Sequence, residues 1–176
     1  ADSVRAAVRD SAHRARLGVP AETLEGYLFP ATYTVPLGTS ARAVVDEMVG
    51  QFEARWRPEW NARLDSIGLT RHQLVTLASI VEKEARVADE RPIIAAVYCN
   101  RLRIGMPLQA DPTVQYILPS HVDRVLYVHL ETDSPYNTYR NAGLPPGPIA
   151  SPGTASLEAA LRPALSYVAQ ASKTYN

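Results

Sequence analysis

The chain has 176 residues, 46% of them hydrophobic, which is enough for one substantial core and makes a single main domain the expectation. Lys plus Arg and Asp plus Glu number 18 each, so no net field favours nucleic acid or an anionic membrane surface, and recognition must be local. Cys99 is the only cysteine, which excludes an internal disulfide and any multi-cysteine metal site, and no run approaches the roughly 18 to 20 apolar residues of a membrane span.

Residues 3–17 place Val4, Ala7, Val8, Ala12 and Ala15 at helical spacing, with Gly18 and Pro20 as stop signals. Residues 24–35 are aromatic and β-branched but broken by Gly26 and Pro30, which predicts short strands joined by a bend. Thr39 or Ser40 caps a helix through Val44, Val45, Met48, Val49 and Phe52 to about Trp56, and Pro58 opens a second that ends near Gly68. Thr70 and Gln73 form a capping-box signature for a helix running to about Ala88, after which Asp89 and Pro92 start the next, over residues 91–102.

Asp111-Pro112 reads as an N-cap and first-turn pair for a short helix with Thr113, Val114, Tyr116 and Ile117, followed by a strand at 125–130. The Pro/Gly-rich residues 143–153 form a constrained loop, Thr154 caps a last helix through Leu157, Ala160 and Leu161, and 167–169 return as a strand. The expected class is α+β, helix-rich, with a small, mostly antiparallel β element.

One helix carries the candidate chemistry. At 100° per residue, with Leu74 at zero, Leu77, Ala78, Ile80, Val81, Ala85 and Ala88 fill one arc, and Glu84 falls at about 280°, between Ile80 and Leu77. Thr76, Ser79, Lys83 and Arg86 form the polar side, and Glu82 sits on the shoulder at about 80°. A carboxyl held against aliphatic groups is harder to ionise, so its pKa rises toward a range useful for donating a proton at neutral pH. Glu84 is the better candidate acid and Glu82 the second; the bland alternative for Glu84 is a marginal carboxylate paired with Arg91 or Arg101. His13, His72, His121 and His129 are scattered, His129 with Glu131 offers too few ligands, and no HExxH, GxSxG or Walker pattern occurs, so neither metal nor cofactor is expected.

Six blocks in order, at 24–30, 78–84, 100–106, 108–114, 136–139 and 143–149, together resemble the MltG (YceG-like) family of endolytic murein transglycosylases. The resemblance extends from about residue 24 to about residue 163. It implies a catalytic domain over 1–176 with its core at about 24–165, and a lyase that cuts the MurNAc-β-1,4-GlcNAc bond of nascent peptidoglycan to leave 1,6-anhydro-MurNAc ends. One carboxyl group then serves as acid and base. The run Ser79-Ile80-Val81-Glu82-Lys83-Glu84-Ala85 is also similar to the small-Ile-x-x-x-Glu-small helix of other lytic transglycosylases and goose-type lysozymes, and that register selects Glu84 over Glu82.

The same resemblance offers Asn100, Gln109, Asp111, Thr113, Tyr136, Asn137 and Tyr139 as substrate contacts; read from the sequence, Asn100 can equally be a helix terminus and Asp111 an N-cap. It implies peptidoglycan strands and membrane-bound cell-wall synthases as partners, and a domain on the outer side of the bacterial inner membrane. The family's usual amino-terminal membrane helix and much of its accessory region are absent from this chain, which is read as a mature or excised soluble portion of a membrane-anchored protein, and the tail beyond Pro163 is short. Two rival expectations stand beside it: a hydrolytic muramidase with the same acid, and a non-catalytic peptidoglycan-binding scaffold.

Overall fold

Asp10 breaks the first predicted helix in two in the structure, a computed structural model that describes residues 2–164. Helix α1 (Asp2–Ala7) stops, and the Asp10 carboxylate restarts the chain as α2 (Ser11–Leu17) by accepting hydrogen bonds from the amides of Ala12 and His13 at 2.9 and 3.1 Å. Residues 24–35 then follow an irregular course tied to other parts of the chain by the backbone bonds Leu24 N–H to Val8 C=O at 2.8 Å and Phe29 N–H to Met48 C=O at 3.2 Å. Leu24 and Tyr27 are fully buried, so this segment spends its apolar residues on packing against helices. At Gly26, with φ of 87°, an added Cβ would lie 2.4 Å from Pro148 Cγ and 2.9 Å from Val75 Cγ1; only glycine allows so close an approach.

No strand occurs among the described residues, and the expected α+β class with its antiparallel element is corrected to an all-helical one there. The 24–35 segment has no neighbouring edge with which to form a ladder, and its Gly and Pro residues interrupt it. The predicted strand at 125–130 holds instead a single helical turn. It exposes Tyr127 (89%) and Val128 (67%) to solvent, so its apolar run has no sheet face to cover. The predicted strand at 167–169 lies outside the described residues.

The helices between follow their capping signals. Ser40 Oγ accepts from the Ala43 amide at 3.2 Å and opens α3 (Ala41–Arg55), and Pro58 opens α4 (Pro58–Ile67). Thr70 and Gln73 form the expected reciprocal box at the start of α5 (Arg71–Glu84), with bonds of 3.1 and 2.9 Å. That helix ends at Glu84 rather than near Ala88: Ala85 turns to ψ 120°, and a short 3-10 turn leads into α6 (Arg91–Arg103). The N-cap position of α7 (Asp111–Ile117) is Ala110, not Asp111, which frees the aspartate for another bond. The turn at 127–130 is α8 (Tyr127–Leu130), and α9 (Thr154–Leu161) is capped by Gly153 rather than by Thr154.

Helix α5 runs through the middle, packed against α9, α6, α7 and α4, while α6 also packs on α9 and α1 on α3. Every residue from 74 to 81 is buried, so the polar side expected for Thr76 and Ser79 does not exist there. Their hydroxyls are satisfied internally: Thr76 Oγ1 donates to the His72 carbonyl at 2.8 Å, and Ser79 Oγ donates to Thr76 C=O at 2.7 Å and accepts from Ile149 N–H at 3.0 Å. Burial of Leu74, Leu77 and Ile80 contributes on the order of 1.5 to 3 kcal/mol each.

Candidate active site

A helix covered on all sides can offer a functional group to solvent only at its ends, and the last residue of α5 is Glu84, which is exposed. It borders an open depression of about 230 Å³ whose other walls are Ile93, Ile94, Val97, Tyr98 and Arg101 of α6, and Gln109. The aliphatic surroundings expected for Glu84 are present, but α6 supplies them rather than the carboxylate's own helix. A larger groove, about 370 Å³ between residues 31–36 and α3, contains no residue of the six sequence blocks.

Partial desolvation raises the Glu84 carboxyl above its ordinary range, and the negative charge of Asp111 raises it further, against a smaller lowering by Arg86. Its position at the carboxyl end of α5 acts in the same direction, because the helix dipole there disfavours an anion. No ion pair or hydrogen bond holds the Glu84 carboxylate among the described residues. Arg91, one proposed partner, lies 3.8 Å from Glu82, and Arg101, the other, donates to the Leu108 carbonyl.

Asp111, in the first turn of α7, accepts a hydrogen bond of 2.5 Å from the Tyr139 hydroxyl. Desolvation, that bond and the Asp111 charge push the phenol of Tyr139 up to about 12. Tyr98 is pushed up by burial first and by the charge of Glu84 second, with Arg101 opposing in both tyrosines. Glu84, Asp111, Tyr98, Tyr139 and Arg101 therefore form one electrostatic neighbourhood. Gln109 joins it with φ of 51°, a left-handed conformation costing a non-glycine residue about 1 to 2 kcal/mol, held by the hydrogen bond its backbone N–H donates to Thr138 C=O at 3.0 Å.

The remaining predicted residues have other positions. Thr113 is buried, its hydroxyl 2.8 Å from that of Thr138 and donating to Ala110 C=O at 2.7 Å. Asn137 is fully buried, donating to the Leu130 and Thr132 carbonyls, both at 2.8 Å, and accepting from the Tyr139 amide at 3.0 Å. Thr113 ties the loop carrying Tyr139 to α7, and Asn137 ties the same loop to Leu130 and Thr132. Asn100 is half-buried in the last turn of α6, where its carbonyl accepts from Ile104 N–H at 3.2 Å. Tyr136 packs on Tyr116 with ring centroids 5.1 Å apart and is influenced by the charge of Glu25.

Tyr98 and Thr138 were not selected by the sequence reasoning. The spacing of Ile93, Ile94, Val97, Tyr98 and Arg101 along α6 is that of one helical face, and this pattern would have pointed to Tyr98. Glu82 belongs to a different structure: it accepts from Ser156 Oγ at 2.6 Å and from Gly153 N–H at 3.2 Å, while Arg91 donates from Nε to Ser156 Oγ at 3.1 Å. This junction joins α5, α6 and the start of α9.

Comparison with known proteins gives the chain a family. The model of the YceG-like family matches residues 2–175. The endolytic murein transglycosylase of Bacillus subtilis (strain 168) is 48% identical over 141 residues, covering 80% of this chain and 39% of that protein. That of Streptococcus pneumoniae serotype 2 (strain D39) is 38% identical over 159 residues, covering 88% of this chain and 27% of its own length. The chain thus spans well under half the length of these curated relatives. A crystal structure of a yceG-like protein from Listeria monocytogenes superimposes with a TM-score of 0.81 at 39% identity, covering 93% of this chain and 58% of that one.

Proposed function

We propose, from the premise that the chain belongs to the YceG-like family, that it is a lytic transglycosylase domain acting on peptidoglycan with Glu84 as its acid and base. The observation that carries the assignment of Glu84 is its setting: a solvent-reached carboxyl, without an ion-pair partner among the described residues, raised by burial and by Asp111 beside an aliphatic wall. A carboxyl so placed holds its proton closer to neutral pH, as a general acid must.

The protonated Glu84 gives its proton to the glycosidic oxygen between MurNAc C1 and GlcNAc O4, and the C1–O4 bond breaks. The resulting carboxylate takes the proton from the C6 hydroxyl of the same MurNAc, whose oxygen closes onto C1. Glu84 is regenerated and no water is consumed, so a single carboxyl suffices. Tyr139 stays protonated throughout and fixes Asp111, whose charge keeps the Glu84 proton available. Gln109 and Tyr98 border the depression where the sugar would rest.

The substrate lies outside the cytoplasmic membrane, and the domain acts there, within a longer anchored protein and beside the membrane-bound synthases that extrude new glycan. Mass spectrometry of products from nascent, uncrosslinked peptidoglycan tests the reaction. Anhydro-muramyl ends, lighter by one water than hydrolysis products, are expected. Water-added reducing ends would replace this reading with a muramidase, and retained binding without cleavage would replace it with a scaffold.

A further inference from the structure

A second cluster lies at the other end of α7, and the reaction just described makes no use of it. Tyr116, near the end of that helix, and Tyr136, three residues before Tyr139, meet with centroids 5.1 Å apart and planes tilted by 41°. A chain of close approaches brings the backbone at Glu25 toward them. Its neighbour Gly26 packs on Pro148, and Pro148's neighbour Gly147 is in turn so near Tyr136 that a Cβ there would lie 3.1 Å from the tyrosine hydroxyl. The charge of Glu25 is felt by both tyrosines.

Glu25 is half-buried, yet among the described residues no group donates a hydrogen bond to its carboxylate and no cation pairs with it. A partly desolvated carboxylate without a partner is costly, and burial raises its pKa accordingly. A carboxylate next to two phenol rings is the chemistry that receives an ammonium group, through charge and through the electron-rich ring faces.

We propose that Glu25, Tyr116 and Tyr136 form a subsite for a primary ammonium group of the substrate, such as the free side-chain amine of an uncrosslinked stem peptide. The inference rests on the peptidoglycan reading above. From Asp111 to Tyr116 the rise along α7 is about 7.5 Å. A glycan strand bound at Glu84 can therefore extend a peptide branch along α7 into the second cluster. Crosslinking turns the amine into an amide and removes its charge, so the subsite makes the enzyme prefer strands that are not yet crosslinked.

Cleavage by the 176-residue chain and by Glu25→Gln is compared on strands carrying lysine-containing stem peptides and on the same strands after N-acetylation. The unaltered chain should favour the free amine by about tenfold in kcat/KM, a typical worth of one such contact, and Glu25→Gln should reduce cleavage of the amine form to that of the acetylated form. Binding of a muramyl tripeptide ending in lysine, and of its Nε-acetyl form, is followed in parallel by NMR shifts of Tyr116 and Tyr136. If no strand is cleaved, the catalytic reading fails while amine-dependent shifts that vanish in Glu25→Gln still support the subsite. Equal cleavage and equal binding of the two forms, or a preference that survives Glu25→Gln, would overturn it.

Discussion

Glu82 and Glu84 stand two residues apart on the last turn of α5 and have opposite surroundings. Glu82 has its oxygens engaged by the Ser156 hydroxyl, the Gly153 amide and Arg91, and so joins three helices. Glu84 is engaged by none of these, borders an aliphatic depression, and faces the charge of Asp111. Hydrogen bonds to a carboxylate tie it to structure, whereas the desolvation and like charge at Glu84 favour its protonated form. Chemical identity is the same in both; position at the point where the helix leaves the core separates their surroundings.

The largest effect that could break this contrast is on turnover. Glu84→Gln keeps the shape but cannot donate a proton, and glycan cleavage should fall by about 10² to 10⁴-fold with the fold intact, as product release from uncrosslinked strands would show. A change of less than tenfold would deprive Glu84 of its role. At Glu82 the loss should appear as stability. Glu82→Ala removes two hydrogen bonds to a charged acceptor and leaves Arg91 without its carboxylate, which costs about 2 kcal/mol in urea unfolding.

The smallest of these effects sharpens the account of Glu84. Its carboxyl is raised partly by Asp111, and the proposed reaction needs it protonated, so activity should fall as pH rises through that raised value. Asp111→Asn removes the negative charge, lowers the Glu84 pKa and should move the alkaline limb of the rate profile to lower pH. A limb that stays in place, or moves upward, would show that Asp111 does not poise the acid.

Much of the site was legible because local chemistry names it. The capping box at Thr70 and Gln73 set the start of α5, and the spacing within that helix separated Glu84 from Glu82. The aliphatic surroundings that the helical wheel gave to Glu84 are present, but α6 supplies them, and buried Thr76 and Ser79 leave residues 74–81 of α5 without a polar side. Small hydroxyls that bond back to their own helix look polar in a sequence yet pack as core. The strands predicted at 24–35 and 125–130 failed because β-branched and aromatic content marks residues that seek packing, and helices provide it to Leu24 and Tyr27. Asn137 and Thr113 carry hydrogen-bonding side chains within the sequence blocks, but only tertiary structure shows that both are buried and bonded internally.

The most direct test of the central claim measures turnover and urea unfolding on the same preparations of Glu84→Gln and Glu82→Gln. The division of roles predicts that Glu84→Gln abolishes formation of anhydro-muramyl ends without lowering stability, while Glu82→Gln lowers stability and retains most turnover per folded molecule. A folded Glu82→Gln protein that makes no product, beside a Glu84→Gln protein that still does, would contradict it.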